Sequence, residues 1–216
     1  MIRTPALLAP ALVLMLVLAG CAVEDGLRPY VLVRRADVWQ AVIKDQDRSR
    51  LARLYEAWDE AAADIAQAGK TSDLAALGPV GQSGVAETQS FPAAGAHECR
   101  TILLGWRQGM PRISPPVQVG AWAPCRLGSD GVLLRLETAA GPQQYFGALY
   151  PDVARLIFLG SVRLAGEAGR LRYGEDQARD QLGVLHAIGP GHWRIALPWP
   201  QWTARLALID IRAVPA

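Results

Sequence analysis

The chain has 216 residues, of which 51% are hydrophobic and 19% are charged. Its 22 basic and 20 acidic residues nearly balance, so the chain has no overall field that would favour nucleic acid or an anionic surface. The length fits one domain, or one domain with a helical appendage.

Residues 1–20 have the layout of a secretory signal peptide. Arg3 gives a positive start, and residues 6–19 are apolar except for Pro10. This apolar run is shorter than the ~20 residues that a membrane span requires. It ends in Leu-Ala-Gly-Cys, which resembles the lipobox of bacterial lipoproteins. The resemblance implies cleavage before Cys21 and lipid attachment to its sulfur, and the alternative is a plain signal peptide with an incidental cysteine.

The lipobox also implies a location. Several acyl chains hold a protein to a membrane far better than one chain does. In Gram-negative lipoproteins an Asp after the cysteine usually means retention in the inner membrane, and this chain has Ala22 there. The resemblance therefore implies a cell-envelope protein that is anchored in the outer membrane and faces the periplasm, with display on the cell surface left open.

Two cysteines follow Cys21, at Cys99 and Cys125. An even number of cysteines in an oxidising compartment favours a disulfide. The alternatives are a metal pair, with His97 nearby, or a catalytic thiol. Because no further ligand cluster follows, we predict a disulfide and no metal site.

The region before Cys99 divides into a tether at 21–35, a helical segment at 36–69 and a loop at 70–98 rich in Gly, Ala and Pro. Asp45 or Asp47 could cap a second helix, which we expect to run to a glycine C-cap at Gly69. Spacings of three and four predict one apolar helix face, made of Leu51, Leu54, Tyr55, Trp58, Ala62 and Ile65. We expect a solvated opposite face, made of Arg50, Arg53, Glu56, Glu60 and Asp64.

Residues 99–215 are rich in β-forming residues. Short apolar runs alternate with turns such as "GSDG", "AAGP" and "GPGH". The predicted strands cover 99–107, 117–127, 132–138, 143–150, 155–164, 169–173, 181–188, 192–198 and 204–214. The expected fold is α+β, with N-terminal amphipathic helices, a barrel-like antiparallel β-meander and one disulfide.

Recognisable catalytic motifs are missing from the sequence. "GQSGV" at 81–85 places glycine wrongly for a nucleophile elbow, and no phosphate loop or dinucleotide fingerprint occurs. His186 and His192 flank one turn, where a metal pair is less favoured than two incidental polar residues. The segment "RYGEDQARDQLGVL" concentrates charge before a strand, which makes Tyr173, Arg179 and Asp180 candidate binding residues. The alternative is a structural turn, and we prefer it.

Four motifs extend the resemblance to most of the chain. They are "HECRTILLG", "GALYPDVARLIFLG", "YGEDQARDQLGVLHAIGPGHWRIALPWP" and "LALIDIRAVP". Together they resemble a family of Gram-negative lipoproteins known as a domain of unknown function. The resemblance covers about Trp39 to Pro215 and implies an architecture rather than an activity.

The sequence thus predicts a membrane-anchored, non-enzymatic binding or interaction module with no cofactor and no nucleic-acid partner. Its partners would be the membrane, through N-terminal acyl chains, and an envelope protein or a small apolar ligand. The alternative is an envelope hydrolase whose site assembles from distant residues, with Tyr173, Arg179, Asp180 and His186 as first candidates.

Overall fold

The computed structural model describes residues 38–84, 90–201 and 203–214. The predicted signal peptide, the predicted lipid attachment site Cys21 and the whole of the predicted tether at 21–35 lie outside these residues. The described helices are α1 (Trp39–Val42), α2 (Asp45–Ala52), α3 (Leu54–Gln67), α4 (Thr71–Ala75) and a short 3-10 helix (Gly78–Gly81).

The helical segment differs from its prediction in two ways. The helix expected to run unbroken to Gly69 is divided at Arg53 into α2 and α3. Neither Asp45 nor Asp47 caps α2, because Lys44 occupies the N-cap without a side-chain hydrogen bond. Both aspartates lie in the first turn, where negative charge interacts favourably with the helix dipole.

The buried face of α3 is rotated from the predicted one. Tyr55 is 66% exposed, so its predicted place in the core was wrong, as was that of the exposed Ala62. Asp64 was expected in solvent but is buried. Its carboxylate accepts hydrogen bonds from the backbone N–H of Trp106 (3.0 Å) and from Arg205 Nε (3.2 Å). The face that packs on the strands is made of Leu54, Ala57, Trp58, Ala61, Asp64 and Ile65.

Nine antiparallel strands follow in the part of the chain that the structure describes. They are β1 (Gly95–Leu104), β2 (Val117–Val119), β3 (Ala123–Ser129), β4 (Leu134–Thr138), β5 (Gln143–Asp152), β6 (Arg155–Leu164), β7 (Asp180–Gly189), β8 (His192–Pro198) and β9 (Leu206–Ala213). The predicted strand at 117–127 is broken into β2 and β3, and the predicted strand at 169–173 is wrong. That segment lies in the loop between β6 and β7, where Gly169 and Gly174 have positive φ angles.

The strands close into a barrel. The meander runs from β3 through β9, and β1 pairs with β9 in one register that places Thr101 opposite Ile209. On its other edge β1 pairs first with β3 and then with the short β2. Eight strands therefore complete the barrel, which confirms the prediction of a barrel-like antiparallel meander.

Alternate residues of each strand form two separate cores. One fills the barrel interior with large side chains that include Tyr145, Phe158 and Trp193. The other lies between the outer wall and the helices, where Trp58 and Ile65 of α3 meet strand residues such as Leu208. Because an eight-stranded barrel is just wide enough to be filled by side chains, its interior is a packed core.

Gly147 and Gly160 allow β5 and β6 to approach closely. A Cβ atom at Gly147 would lie 2.4 Å from the Gly160 Cα, and one at Gly160 would lie 2.4 Å from the Phe146 carbonyl oxygen. Neither position has room for a side chain, since real Cβ contacts are longer. Glycine is thus required at this crossing by space rather than by backbone angle.

Candidate functional site

The loop before β7 is joined to α2 by Tyr173. Its hydroxyl donates a hydrogen bond of 2.5 Å to Asp47 Oδ2 and accepts one of 3.0 Å from the Lys44 N–H. Burial, then the bond to Asp47, raises the pKa of Tyr173 far above its usual range. The phenol therefore stays protonated and acts as a donor to a carboxylate that is fully buried.

Asp180 shapes the same loop. The residue is 1% exposed, and its carboxylate accepts a hydrogen bond of 2.7 Å from the Gly174 N–H. Burial raises the pKa of Asp180, and the bond from Gly174 opposes that rise. Asp180 thus holds the turn that leads into β7.

Arg179 points to a different partner. Its two terminal nitrogens donate to the two oxygens of Glu167, at 2.5 and 2.6 Å. This two-pronged pair joins the two ends of the β6–β7 loop. The three candidate binding residues are therefore not gathered around one cavity, and their contacts support the structural interpretation, while a role in binding stays a prediction.

The three histidines have different surroundings. His97 lies inside the barrel with its ring edge against Trp193, 5.8 Å between ring centroids. His192 contacts Asp210 on the outer wall, and His186 lies opposite Arg194 in the pairing of β7 with β8. Within the described ranges, no group of three or more His, Cys, Asp or Glu side chains is placed to hold a metal ion.

A buried carboxylate that the sequence analysis missed organises the outer wall. Asp210 is fully buried and accepts hydrogen bonds from Arg100 Nε (2.7 Å) and His192 Nε2 (2.6 Å). Arg100 and Arg212 also stack on Trp122, at 4.5 and 4.1 Å from the ring centroid. The available signal was a single aspartate inside the apolar strand "LALIDI", which indicates a paired charge.

The disulfide lies beside a cavity. Cys99 and Cys125 are bonded, with 5.7 Å between their Cα atoms, which confirms the predicted pairing. Cys99 lines a pocket of about 550 Å³ at the barrel end where β1 finishes and β5 begins, which we call the mouth pocket. Its walls are mainly apolar and include inward-facing Leu103 and Ala123.

One residue of the mouth pocket carries a buried polar atom without a partner in the described part of the chain. Thr203 lines the pocket, and its hydroxyl oxygen is buried without a hydrogen bond in the described part of the chain. Ligand sites in proteins are commonly apolar cavities of 300–1,000 Å³ with few polar groups that orient the ligand. The mouth pocket has this size and composition.

The fold and these sites define a class of protein: a closed eight-stranded antiparallel barrel with a filled interior, helices on its outer wall and one disulfide. The family model described as Domain of unknown function (DUF4893) matches residues 39–211, and the chain belongs to that family. The predicted membership in a family of unknown function is thus confirmed. No curated protein and no solved structure matched the chain in our comparisons.

Among residues 38–84, 90–201 and 203–214, none of the helices has the length and apolar character needed to cross a membrane.

Proposed function

We propose that this chain is a lipid-anchored protein of the outer membrane that faces the periplasm and binds a small apolar ligand without catalysing a reaction. The mouth pocket carries the binding part of this proposal. Since side chains fill the barrel interior, the ligand would enter only the open end, beside Cys99 and Leu103. The buried Thr203 hydroxyl would bond one polar group of the ligand.

The anchoring part of the proposal rests on the sequence "LAGC". Sulfur is the nucleophile that accepts the diacylglycerol, and a hydroxyl does not replace it. Intact mass of the protein from membranes should show cleavage before Cys21 and added acyl mass, while Cys21→Ser should show neither. A wild-type mature protein without lipid mass would contradict the anchor and leave the proposed binding site untouched.

A hydrolase would need reactive groups facing a substrate cavity. Tyr173 and Asp180 have raised pKa values, but Tyr173 bonds Asp47 of α2, and Asp180 bonds the Gly174 N–H within its own loop. Neither residue lines the mouth pocket, and Tyr173, which borders a second cavity on the outer wall, has its hydroxyl bonded to Asp47 and the Lys44 N–H. These contacts favour the binding module over the hydrolase.

Ligand binding can be tested on the intact protein in envelope vesicles. An uncharged apolar probe that carries a diazirine should label the pocket segments, residues 99–103, 118–124 and 138–143. Ala121→Trp should block the pocket rim and reduce this labelling, whereas Ala63→Trp on the exposed side of α3 should leave it unchanged. Equal labelling of wild type and Ala121→Trp would refute the mouth pocket as the ligand site.

A further inference from the structure

A second cavity lies on the outer wall of the barrel, away from the mouth pocket. It has a volume of about 740 Å³ and crosses the outward faces of β3, β4, β5 and β6. The loop segment from Arg170 to Tyr173 forms one side, and Val42 of α1 contributes to the rim. We call this cavity the arginine groove, since Arg126, Arg135, Arg170 and Arg172 line it.

The arginine groove has an excess of positive charge. Arg135 is paired with Asp130, at 2.5 Å, and Arg170 is paired with Glu137. Arg126 and Arg172 have exposed side chains, and no carboxylate of the described residues pairs with either guanidinium. Two of the four arginines are therefore available to a ligand.

Strand pairing fixes where these charges lie. Arg126 lies directly opposite Glu137, which lies opposite Phe146, so these three side chains form one row across β3, β4 and β5. In the next row Gly128 and Ala148 flank Arg135. Because Gly128 and Ala148 have small side chains, a ligand has room to lie against the strands between the arginines.

We propose that the arginine groove binds a phosphate group, held by Arg126 and Arg172, with the remainder of the ligand against Phe146 and Ala148. A phosphomonoester carries nearly two charges at neutral pH and three acceptor oxygens, which matches two guanidinium forks. Charge-assisted bonds of this kind are about twice as strong as neutral ones. The same group occurs on anionic lipid headgroups and on soluble phosphorylated metabolites, and the experiment below separates the two.

Binding would be measured by calorimetry on the intact mature protein in nonionic detergent. The probes are glycerol 3-phosphate, dihexanoyl phosphatidic acid and dihexanoyl phosphatidylcholine. We expect both phosphomonoesters to bind and phosphatidylcholine not to bind. Arg126→Gln and Arg172→Gln should each weaken binding about tenfold or more, as expected for the loss of a hydrogen bond between charged groups.

Arg107→Gln is the matched control, because Arg107 carries the same charge and does not line the groove. Melting curves of all variants would show that each one folds. Tighter binding of phosphatidic acid than of glycerol 3-phosphate would assign the site to a lipid headgroup, and equal affinity would assign it to a soluble phosphate. Absence of binding by both phosphomonoesters, equal binding of phosphatidylcholine, or undiminished affinity in the Arg126→Gln/Arg172→Gln double variant would overturn the proposal.

Discussion

The hydroxyl of Tyr173 donates a hydrogen bond of 2.5 Å to Asp47 Oδ2, across 126 positions of the chain. Asp47 is fully buried, and its other oxygen accepts from Arg50 Nη1 at 2.8 Å. Tyr173→Phe removes one donor from a buried carboxylate and should lower the free energy of unfolding by about 1–3 kcal/mol, measured by chemical denaturation. Tyr55→Phe, at a 66% exposed position, is the control and should have little effect. Equal stability of the Tyr173 variant and wild type would mean that this bond does not stabilise the fold.

The close approach of β5 to β6 predicts intolerance of even one added methyl group. Gly160→Ala would place its Cβ 2.4 Å from the Phe146 carbonyl oxygen, so the strands must separate. We expect a loss of about 1–3 kcal/mol or more, seen as a lower Tm. Gly128→Ala is the matched control, since the nearest atom to its Cβ lies 4.0 Å away. A Gly160 variant that melts like the Gly128 variant would show that the strands separate at little cost.

The disulfide should stabilise the fold by constraining the unfolded chain. The bonded cysteines are 26 positions apart, for which chain entropy gives about 3.5 kcal/mol. Cys99→Ala together with Cys125→Ala should lower the unfolding free energy by up to that amount. Digestion without reductant should yield one linked peptide pair, and free thiols at both positions in protein isolated without reductant would contradict the bond.

The carboxylate of Asp130 makes the free energy of unfolding depend on pH. Its carboxylate accepts hydrogen bonds from the Leu133 and Val132 N–H groups and from Arg135, which lower its pKa to about 2. A depressed pKa means that the stabilisation is present above pH 4 and is lost as the pH falls toward 2. The side chain is 38% exposed, so solvent screening limits the effect to about 1 kcal/mol.

Denaturation between pH 2 and pH 5 would test this dependence. Asp130→Asn should remove part of the slope, while Asp59→Asn, on the exposed face of α3, serves as the control. NMR titration of the Asp130 carboxyl should give a midpoint near 2, and a midpoint near 4 would refute the assignment.

Arg179 should act through geometry rather than charge. Lysine keeps the positive charge but lacks the fork that reaches both oxygens of Glu167. Arg179→Lys should therefore lower the Tm, and the effect should disappear in a Glu167→Gln background. If the variant melts normally yet loses binding of the diazirine probe or of the phosphomonoesters, the loop would instead be part of a ligand site.

The limits of a strand were predicted best from the sequence where turn residues flank a continuous apolar run. The predicted limits of β6 and β8 match the structure, because a tight hairpin turn precedes each strand. The rotation of α3 could not be foreseen, since Asp64 is buried only because Trp106 and Arg205 reach it from distant parts of the chain.

The two cavities could not be predicted from the sequence. The arginine groove depends on the register that sets Arg126 opposite Glu137, and on a loop that brings Arg172 to the same wall. The mouth pocket depends on the break between β2 and β3, which the sequence analysis treated as one strand. Such features arise from pairing between strands, and hydrophobic periodicity carries no information about that pairing.

The seam between β1 and β9 has a consequence for how the chain reaches its native state. The pairing of His97 with Ala213 joins positions more than a hundred residues apart, so closure must wait until nearly the whole domain is present. Non-local pairing of this kind slows folding. Until β9 arrives, β1 and β8 each expose an unpaired edge that can recruit another strand. The same seam would accept β9 from a second copy, so exchange of β9 between chains is a route by which this barrel can misassemble.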